Sequence, residues 1–308
     1  MLKHKKYTYG PENAERKILV ICGTHGNETN AILSTLIVKE LYAKKGIDLI
    51  NENMNRIPTR ITFLVGWNEP AIALNQREYE DTTEAMPDDL NRAFSVNEPI
   101  ESKTTMVRRI EDEIAEHDIV IDIHNSPHIK NSVLINADLY AEKFVKFCKD
   151  NNIFCILNEN SNPTIKYYGI RKGKFALTVE LDAMGFTNDC NSKLNDNANF
   201  IIDLLKAIVR GKKTDFEIGE PSKVVFAAEF EAKQLTAHAD GYIAYQLNDP
   251  MRSYKKGDVI AHINNYDGEV LENIVAPCDG CVCNLGDGYI AEEGGFVALF
   301  QPDIKIEK

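Results

Sequence analysis

Six short apolar runs recur along the first two-thirds of the chain, at 17–22, 61–67, 118–124, 132–137, 154–159 and 175–181. Each is rich in β-branched or aromatic residues and short enough to read as a buried strand. Between them lie segments with apolar residues at helical spacing, 31–46, 102–117, 139–151 and 197–211. The first ends at Gly46, a common helix stop, and Ser102 is placed to cap the second. Strands interleaved with helices predict a mostly parallel sheet covered on both faces. Functional residues of such sheets gather at the carboxyl ends of the strands. The pattern breaks at GKKTDFEIGEPSK (211–223), a polar segment with Gly and Pro. Beyond it come short strand-like runs and turn residues with no convincing helix. The expected division is an α/β domain over 1–214 and a β-rich domain over 215–308.

Composition narrows the picture. The 308 residues are 44% hydrophobic and 27% charged, ordinary for a globular protein. No apolar stretch is long enough to span a membrane. The basic N-terminus, MLKHKKYTYGPENAERK, lacks a signal peptide's apolar core, so a cytoplasmic address is the default. Seven cysteines, an odd number, do not read as a disulfide framework. The net charge of −12 argues against a sequence-independent grip on nucleic acid. An anionic substrate would therefore need local positive charge to override the global field.

Candidate chemistry begins at CGTHGNE (22–28), directly after the first apolar run. His25 and Glu28 sit in a glycine-containing turn, and His124 ends the strand DIVIDIH. Two histidines and one glutamate are the donor set of a catalytic zinc, which keeps a fourth position open. A capping turn with a satisfied histidine is the plainer alternative for His25 and Glu28. Asp122, two before His124, is placed either to orient a ligand imidazole or as a buried polar residue with another partner. DDLNRAF (88–94) carries Asn91 and Arg92, the latter able to fork onto a carboxylate or to form a surface ion pair.

G-x-H-G-N-E at 23–28, D-L-N-R at 89–92, D-x-H at 122–124 and T-V-E-L at 178–181 occur in this order. Together they resemble the aspartoacylase and succinylglutamate desuccinylase family, a branch of the zinc carboxypeptidase-like hydrolases. The resemblance covers about residues 17–183. It implies a zinc-carboxypeptidase-like α/β fold, a mixed sheet flanked by helices, with a smaller C-terminal β-rich domain over the site. It further implies one zinc per chain on His25, Glu28 and His124, with Glu180 as general base. By the same resemblance Arg77 polarises the scissile carbonyl and Asn91 and Arg92 hold a substrate carboxylate. Tyr167 and Arg171 resemble a pair that binds the acidic part of the substrate, with Tyr168 a neighbouring choice. Tyr289 resembles a tyrosine that reaches in from the second domain. Arg77, Arg92 and Arg171 would then form a cationic pocket within an acidic protein, suited to a small anionic N-acyl amino acid.

The sequence departs from the family in EYEDTTEAMP, an insert-like segment between Arg77 and Asp89, and in a shorter span from Arg171 to Glu180. Both fall near residues that select substrate. A carboxypeptidase acting on peptide C-termini would use the same zinc set, and a non-catalytic binding protein would keep the pocket without turnover. A homo-oligomer is compatible with everything above. CDGCVC (278–283) offers three thiols and no fourth ligand at standard spacing, so a second metal is not expected.

Overall fold

The computed structural model describes residues 4–45, 57–78, 89–99, 102–126, 131–136, 142–158, 162–183, 190–216, 231–246, 253–286 and 290–303. The first unit alternates β1 (Lys5–Tyr9), β2 (Arg16–Cys22), α1 (Thr29–Lys45), β3 (Thr59–Val65), α2 (Glu69–Leu74) and α3 (Thr105–Glu116). It continues with β4 (Ile119–Ser126), β5 (Ser132–Asn136), α4 (Glu142–Asp150), β6 (Cys155–Asn158), α5 (Ile165–Arg171), β7 (Phe175–Asp182) and α6 (Cys190–Arg210). Its seven-stranded sheet has the order β1-β3-β2-β4-β7-β5-β6. The sheet is mixed: β2 runs parallel to β3 and β4, β4 to β7, and β5 to β6. β1 and β5 run antiparallel to β3 and β7 respectively.

All six predicted strands form, with ends shifted by a few residues. β1 was not among them, because KKYTY reads as polar. It is an edge strand, and only Tyr7 and Tyr9 lean onto the core from its partly buried side. The cap of α3 is Thr104, whose Oγ1 accepts from Val107 N at 3.2 Å. Ser102 instead donates its hydroxyl to Pro99 O. α6 begins at Cys190, ahead of the predicted start at 197.

Alternation along β4 sorts the two faces of the sheet. The side chain of Asn125 accepts from Ala31 N at the start of α1. Val120 points the other way, toward Gly169 of α5, which also lies close to Ile114 of α3. α1 thus lies on one face and α3 and α5 on the other. The central strands are apolar on both faces, with Ile18, Leu19, Val20, Ile121, Ile123, Leu177 and Val179 fully buried.

The C-terminal unit contains two four-stranded sheets, β10-β13-β15-β8 and β12-β11-β9-β14. Their strands are β8 (Lys233–Thr236), β9 (Gly241–Tyr245), β10 (Ser253–Tyr254), β11 (Val259–Asn264), β12 (Val270–Val275), β13 (Gly280–Leu285), β14 (Ile290–Ala291) and β15 (Phe296–Pro302). Every pairing is antiparallel. Ile243, Ile260, Ile263, Val282, Val297 and Phe300 share a core separate from that of the first unit. The two units meet at β6: Ala232 N donates to Leu157 O, and Leu157 N donates to Gln301 Oε1 at 2.9 Å. Ile156 and Cys283 pack together beneath these bonds.

Candidate metal centre

β2, β3, β4 and β7 all deliver their carboxyl ends to one edge of the sheet. β2 stops at Cys22, and the chain turns sharply through GTHGNE into α1. Two glycines make the turn possible. Gly23 has φ +84° and its absent Cβ would stand 2.9 Å from Gly66 Cα. At Gly26 a Cβ would lie 2.0 Å from the carbonyl carbon of Ala71. Any side chain at either position would push the turn off α2. Asn68 ties the turn down by donating from Nδ2 to Thr24 O at 2.8 Å.

This turn brings His25 and Glu28 to His124. His25 Nδ1 lies 2.7 Å from Glu28 Oε1, His124 Nδ1 lies 3.0 Å from Glu28 Oε2, and the two Nδ1 atoms are 3.1 Å apart. One ligand atom from each residue falls within 4.8 Å of the others, and all three residues are buried. Behind the triad each imidazole meets a carboxylate. His25 Nε2 lies 3.0 Å from Asp89 Oδ1, and His124 Nε2 lies 2.8 Å from Asp122 Oδ2. A carboxylate on Nε2 holds the proton there and leaves Nδ1 as an acceptor. Two acceptor nitrogens and an acceptor-only carboxylate then converge on one point. Without a metal, protons taken up by the imidazoles bridge them to Glu28, and a metal cation at the centre would stand in for those protons. The donor set, two nitrogens and a carboxylate oxygen, fits the three protein ligands of a catalytic zinc.

Charge follows the same geometry. Burial raises the cost of ionising Glu28, yet His124 and His25 outweigh it and hold the carboxyl well below its usual range. Burial likewise opposes charge on both histidines. Asp89 and Glu28 reverse this at His25, and Asp122 and Glu28 reverse it at His124, so both stand raised. Asp89 is held low despite burial by His25 and Arg77.

Glu180 lies directly beside His124 in the β4–β7 ladder. Ser126 Oγ donates to its Oε2 at 3.0 Å. Desolvation pushes this carboxyl up to about 7, with His124 pulling the other way. Arg77 stands over the triad and donates to Glu28 Oε1 at 3.1 Å and to Asp89 Oδ2 at 3.4 Å, its side chain 47% exposed. Arg92, similarly exposed, donates to Asn91 O and lies 3.8 Å from Asp89 Oδ2.

Asn91 is buried behind His124. Its Oδ1 accepts from Ile165 N at 3.0 Å, while its Nδ2 lies 3.2 Å from His124 Nε2 and 3.4 Å from Asp122 Oδ2. Its amide thus links the first turn of α5 to Asp122, the carboxylate that holds the imidazole. Tyr167 is half-buried in that same first turn.

The structure does not bring Arg171 to this cluster. α5 starts at the metal end and runs away from it, so Arg171 is exposed at its far end. There it lines a depression of about 860 Å³ with Glu15, Arg16, Asp118 and Phe175, at the amino ends of the strands. Tyr289 and the segment EYEDTTEAMP lie outside the described residues, apart from Glu78. Asp89 is the site residue that sequence reasoning passed over. It stands inside the quoted D-L-N-R motif, but only the turn of Leu90–Arg92, capped by Asp89 itself, shows that its carboxylate points at His25.

Residues 14–207 match the model of the succinylglutamate desuccinylase/aspartoacylase catalytic domain. Among curated proteins none matches the chain. Several solved structures share the fold. The product-bound ectoine utilization protein EutE (DoeB) from Ruegeria pomeroyi is 15% identical, with a TM-score of 0.62 over 94% of this chain and 86% of that one. A succinylglutamate desuccinylase/aspartoacylase from Rhodobacter sphaeroides is 17% identical, with a TM-score of 0.63 over 96% of this chain and 86% of that one. An aspartoacylase family protein from Mesorhizobium loti is 17% identical, with a TM-score of 0.62 over 99% and 96%.

Proposed function

The chain belongs to the succinylglutamate desuccinylase/aspartoacylase family, and from that premise we propose that it is a zinc-dependent hydrolase cleaving the amide of a small N-acyl, acidic amino acid. Members of the family are hydrolases of desuccinylase and aspartoacylase type. The observation that carries the finer reading is the convergence of His25 Nδ1, His124 Nδ1 and the Glu28 carboxylate with Glu180 beside them in register.

One zinc ion, held by His25, Glu28 and His124, would supply Lewis-acid activation of water and of the scissile carbonyl. The chain's own residues do the rest. Glu180 takes a proton from the attacking water on its carboxylate and returns it to the leaving amine nitrogen. An ordinary carboxylate is a weak base for this work, and burial strengthens Glu180. Arg77 offers its guanidinium to the oxygen that gains charge as the carbonyl carbon becomes tetrahedral. Arg92 faces solvent at the mouth, where its fork can receive a substrate carboxylate. Tyr167 flanks the same entrance. Asp89, Asp122 and Asn91 aim the imidazoles.

We assign the chemistry to residues 1–214. The C-terminal β unit, docked on β6, would restrict entry to small substrates, with Tyr289 as a substrate-binding residue by family resemblance. No described helix is long and apolar enough to cross a membrane. A cytoplasmic small-molecule deacylase is the reading most consistent with the sequence.

The test is metal content and amine release on one purified sample. N-acetylaspartate, N-succinylglutamate, N-acetylglutamate and neutral N-acyl amino acids are compared, with a chelator control. About one zinc per chain with chelator-sensitive release from acidic substrates is expected. Bound zinc with release only from neutral substrates would discard the role of Arg92. No bound metal and no turnover would overturn the reading.

A further inference from the structure

Asp89, Asn91 and Arg92 ride on a single short turn, Leu90–Arg92, and on the irregular strap that follows it to Ser95. One turn of this length does not hold a shape alone. The strap takes its position from three anchors. At Asn91, Oδ1 accepts from Ile165 N at 3.0 Å. At Phe94, the backbone N–H donates to Pro163 O at 2.9 Å. The Phe94 ring is fully buried, 6.2 Å from the Trp67 ring and 6.4 Å from that of Tyr168. At Ser95, the carbonyl accepts from Lys103 Nζ at 2.5 Å. The first two anchors use amides and apolar rings. The third uses a buried cation that has no part in the chemistry above.

Lys103 is 8% exposed and directly precedes Thr104, the cap of α3. Lysine is almost never fully buried unless a negative group answers it. Glu111 of α3, also buried, pairs with its ammonium. Nζ further stands over the Tyr168 ring, 5.2 Å from the centroid. The ammonium thus meets three electron-rich groups, a carboxylate, a ring and a carbonyl. Glu111 belongs to α3 and Tyr168 to α5, the two helices packed on that face of the sheet. Only the Ser95 carbonyl belongs to the strap. One charged atom therefore ties the strap to both helices.

The cost of burying charge indicates what the pair is for. Two ions taken out of water lose most of their attraction to desolvation, and neutral replacements for such a pair often leave a protein no less stable. No neutral apolar pair could hold the Ser95 carbonyl. What the charge adds here is a fixed place for the strap. We propose that Lys103 is a positioning residue for the metal centre, fixing the end of the strap so that Asp89 stays behind His25. The inference rests on the reading of His25, Glu28 and His124 as a zinc site. Lys103 lies outside every motif that marks the site in the sequence, although its partner Ser95 follows directly on DDLNRAF.

The readout is zinc affinity, measured by competition with a chromophoric chelator, which needs no turnover. Lys103→Met should weaken zinc binding roughly tenfold, the lower end of what loss of the carboxylate behind a ligand histidine costs. That variant leaves the Glu111 charge buried without its partner, which alone can unfold a protein. Lys103→Met with Glu111→Gln removes both charges and should show the same tenfold loss in folded protein. Wild-type zinc affinity in this double variant would overturn the proposal.

The same changes are then made on Asp89→Asn. An effect that passes through Asp89 cannot be lost twice, so the further loss should stay within about twofold. A full further tenfold would mark a lysine that merely supports the fold, and would overturn the positioning role. Failure of the proposal and of the wider reading remain distinct. Wild-type protein that binds no zinc sinks the metal site and the inference together. Zinc bound in the wild type and weakened in the variants, with no amine release from any substrate, sinks only the deacylase and leaves Lys103 its role.

Discussion

The two ends of the central sheet both bury polar side chains, yet they do so in opposite ways. At the amino end the buried Arg16 donates to Ile208 O, Val209 O and Gly211 O at 2.5, 3.0 and 2.8 Å. It also lies over the Phe216 ring. Its donors meet acceptors, so that end closes the carbonyl terminus of α6 and asks for nothing more. At the carboxyl end, His25 and His124 are each bracketed by Glu28 and a second carboxylate, Asp89 or Asp122, so their charges balance only when protons or a metal cation are taken up. Buried polarity alone therefore does not mark a functional site. Polarity left unbalanced until a cation arrives does.

Removing the ion is the strongest way to test that contrast. Dialysis against a chelator should abolish amine release, and zinc should restore it. The imbalance at the carboxyl end predicts a fall in melting temperature on removal and a rise on reloading. Glu180→Ala comes next, with kcat lower by ~10²–10⁴-fold while zinc stays bound. Near-normal turnover in that variant would remove Glu180 from the mechanism. The same carboxylate sets a pH limb. A base works only when ionised, so activity should fall as pH drops through its pKa. Metal-free Glu180 stands at about 7, and a dication beside it pulls it down, so the limb of kcat/KM should lie below 7.

Asp122→Asn and Asp89→Asn should each cost roughly 10–100-fold in zinc affinity or kcat, read by metal competition and by turnover. Loss at only one histidine would mean that the two carboxylates do not share a role. At the opposite end the outcome inverts. Arg16→Ala should lower stability by about 2–3 kcal/mol on denaturant unfolding, through the charged hydrogen bonds it removes, and leave kcat/KM alone. Smallest of all, Arg171→Ala should change kcat/KM by no more than about twofold, the scale of an exposed substitution. A tenfold loss there would break the division between the two ends.

The residues tell unevenly of this arrangement. His25, Glu28, His124 and Glu180 were legible because each stands at the end of, or just after, an apolar run. Continuous apolar runs are read from sequence without any knowledge of packing. Arg171 was misplaced because four residues keep a side chain on one face of a helix but carry it about 6 Å along the axis. The direction of α5 decides whether that distance leads toward the metal or away. Asp89 and Asn91 depend on the orientation of a three-residue turn, which no periodicity encodes. Asn91 carries an amide that suits a substrate carboxylate, but the fold sets it behind His124 against Ile165 N. β1 escaped because an edge strand needs only one half-apolar side.

The register of β4 against β7 has a further consequence. His124 and Glu180 are neighbours in one hydrogen-bonded ladder, and their separation is set by the spacing of strands, about 4.8 Å, and not by any loop. The backbone positions of the proposed metal ligand and base cannot drift apart while the sheet exists. Heat or denaturant should find no private weakness at this pair: their alignment persists until the central strands part, and then it is lost with everything else at once.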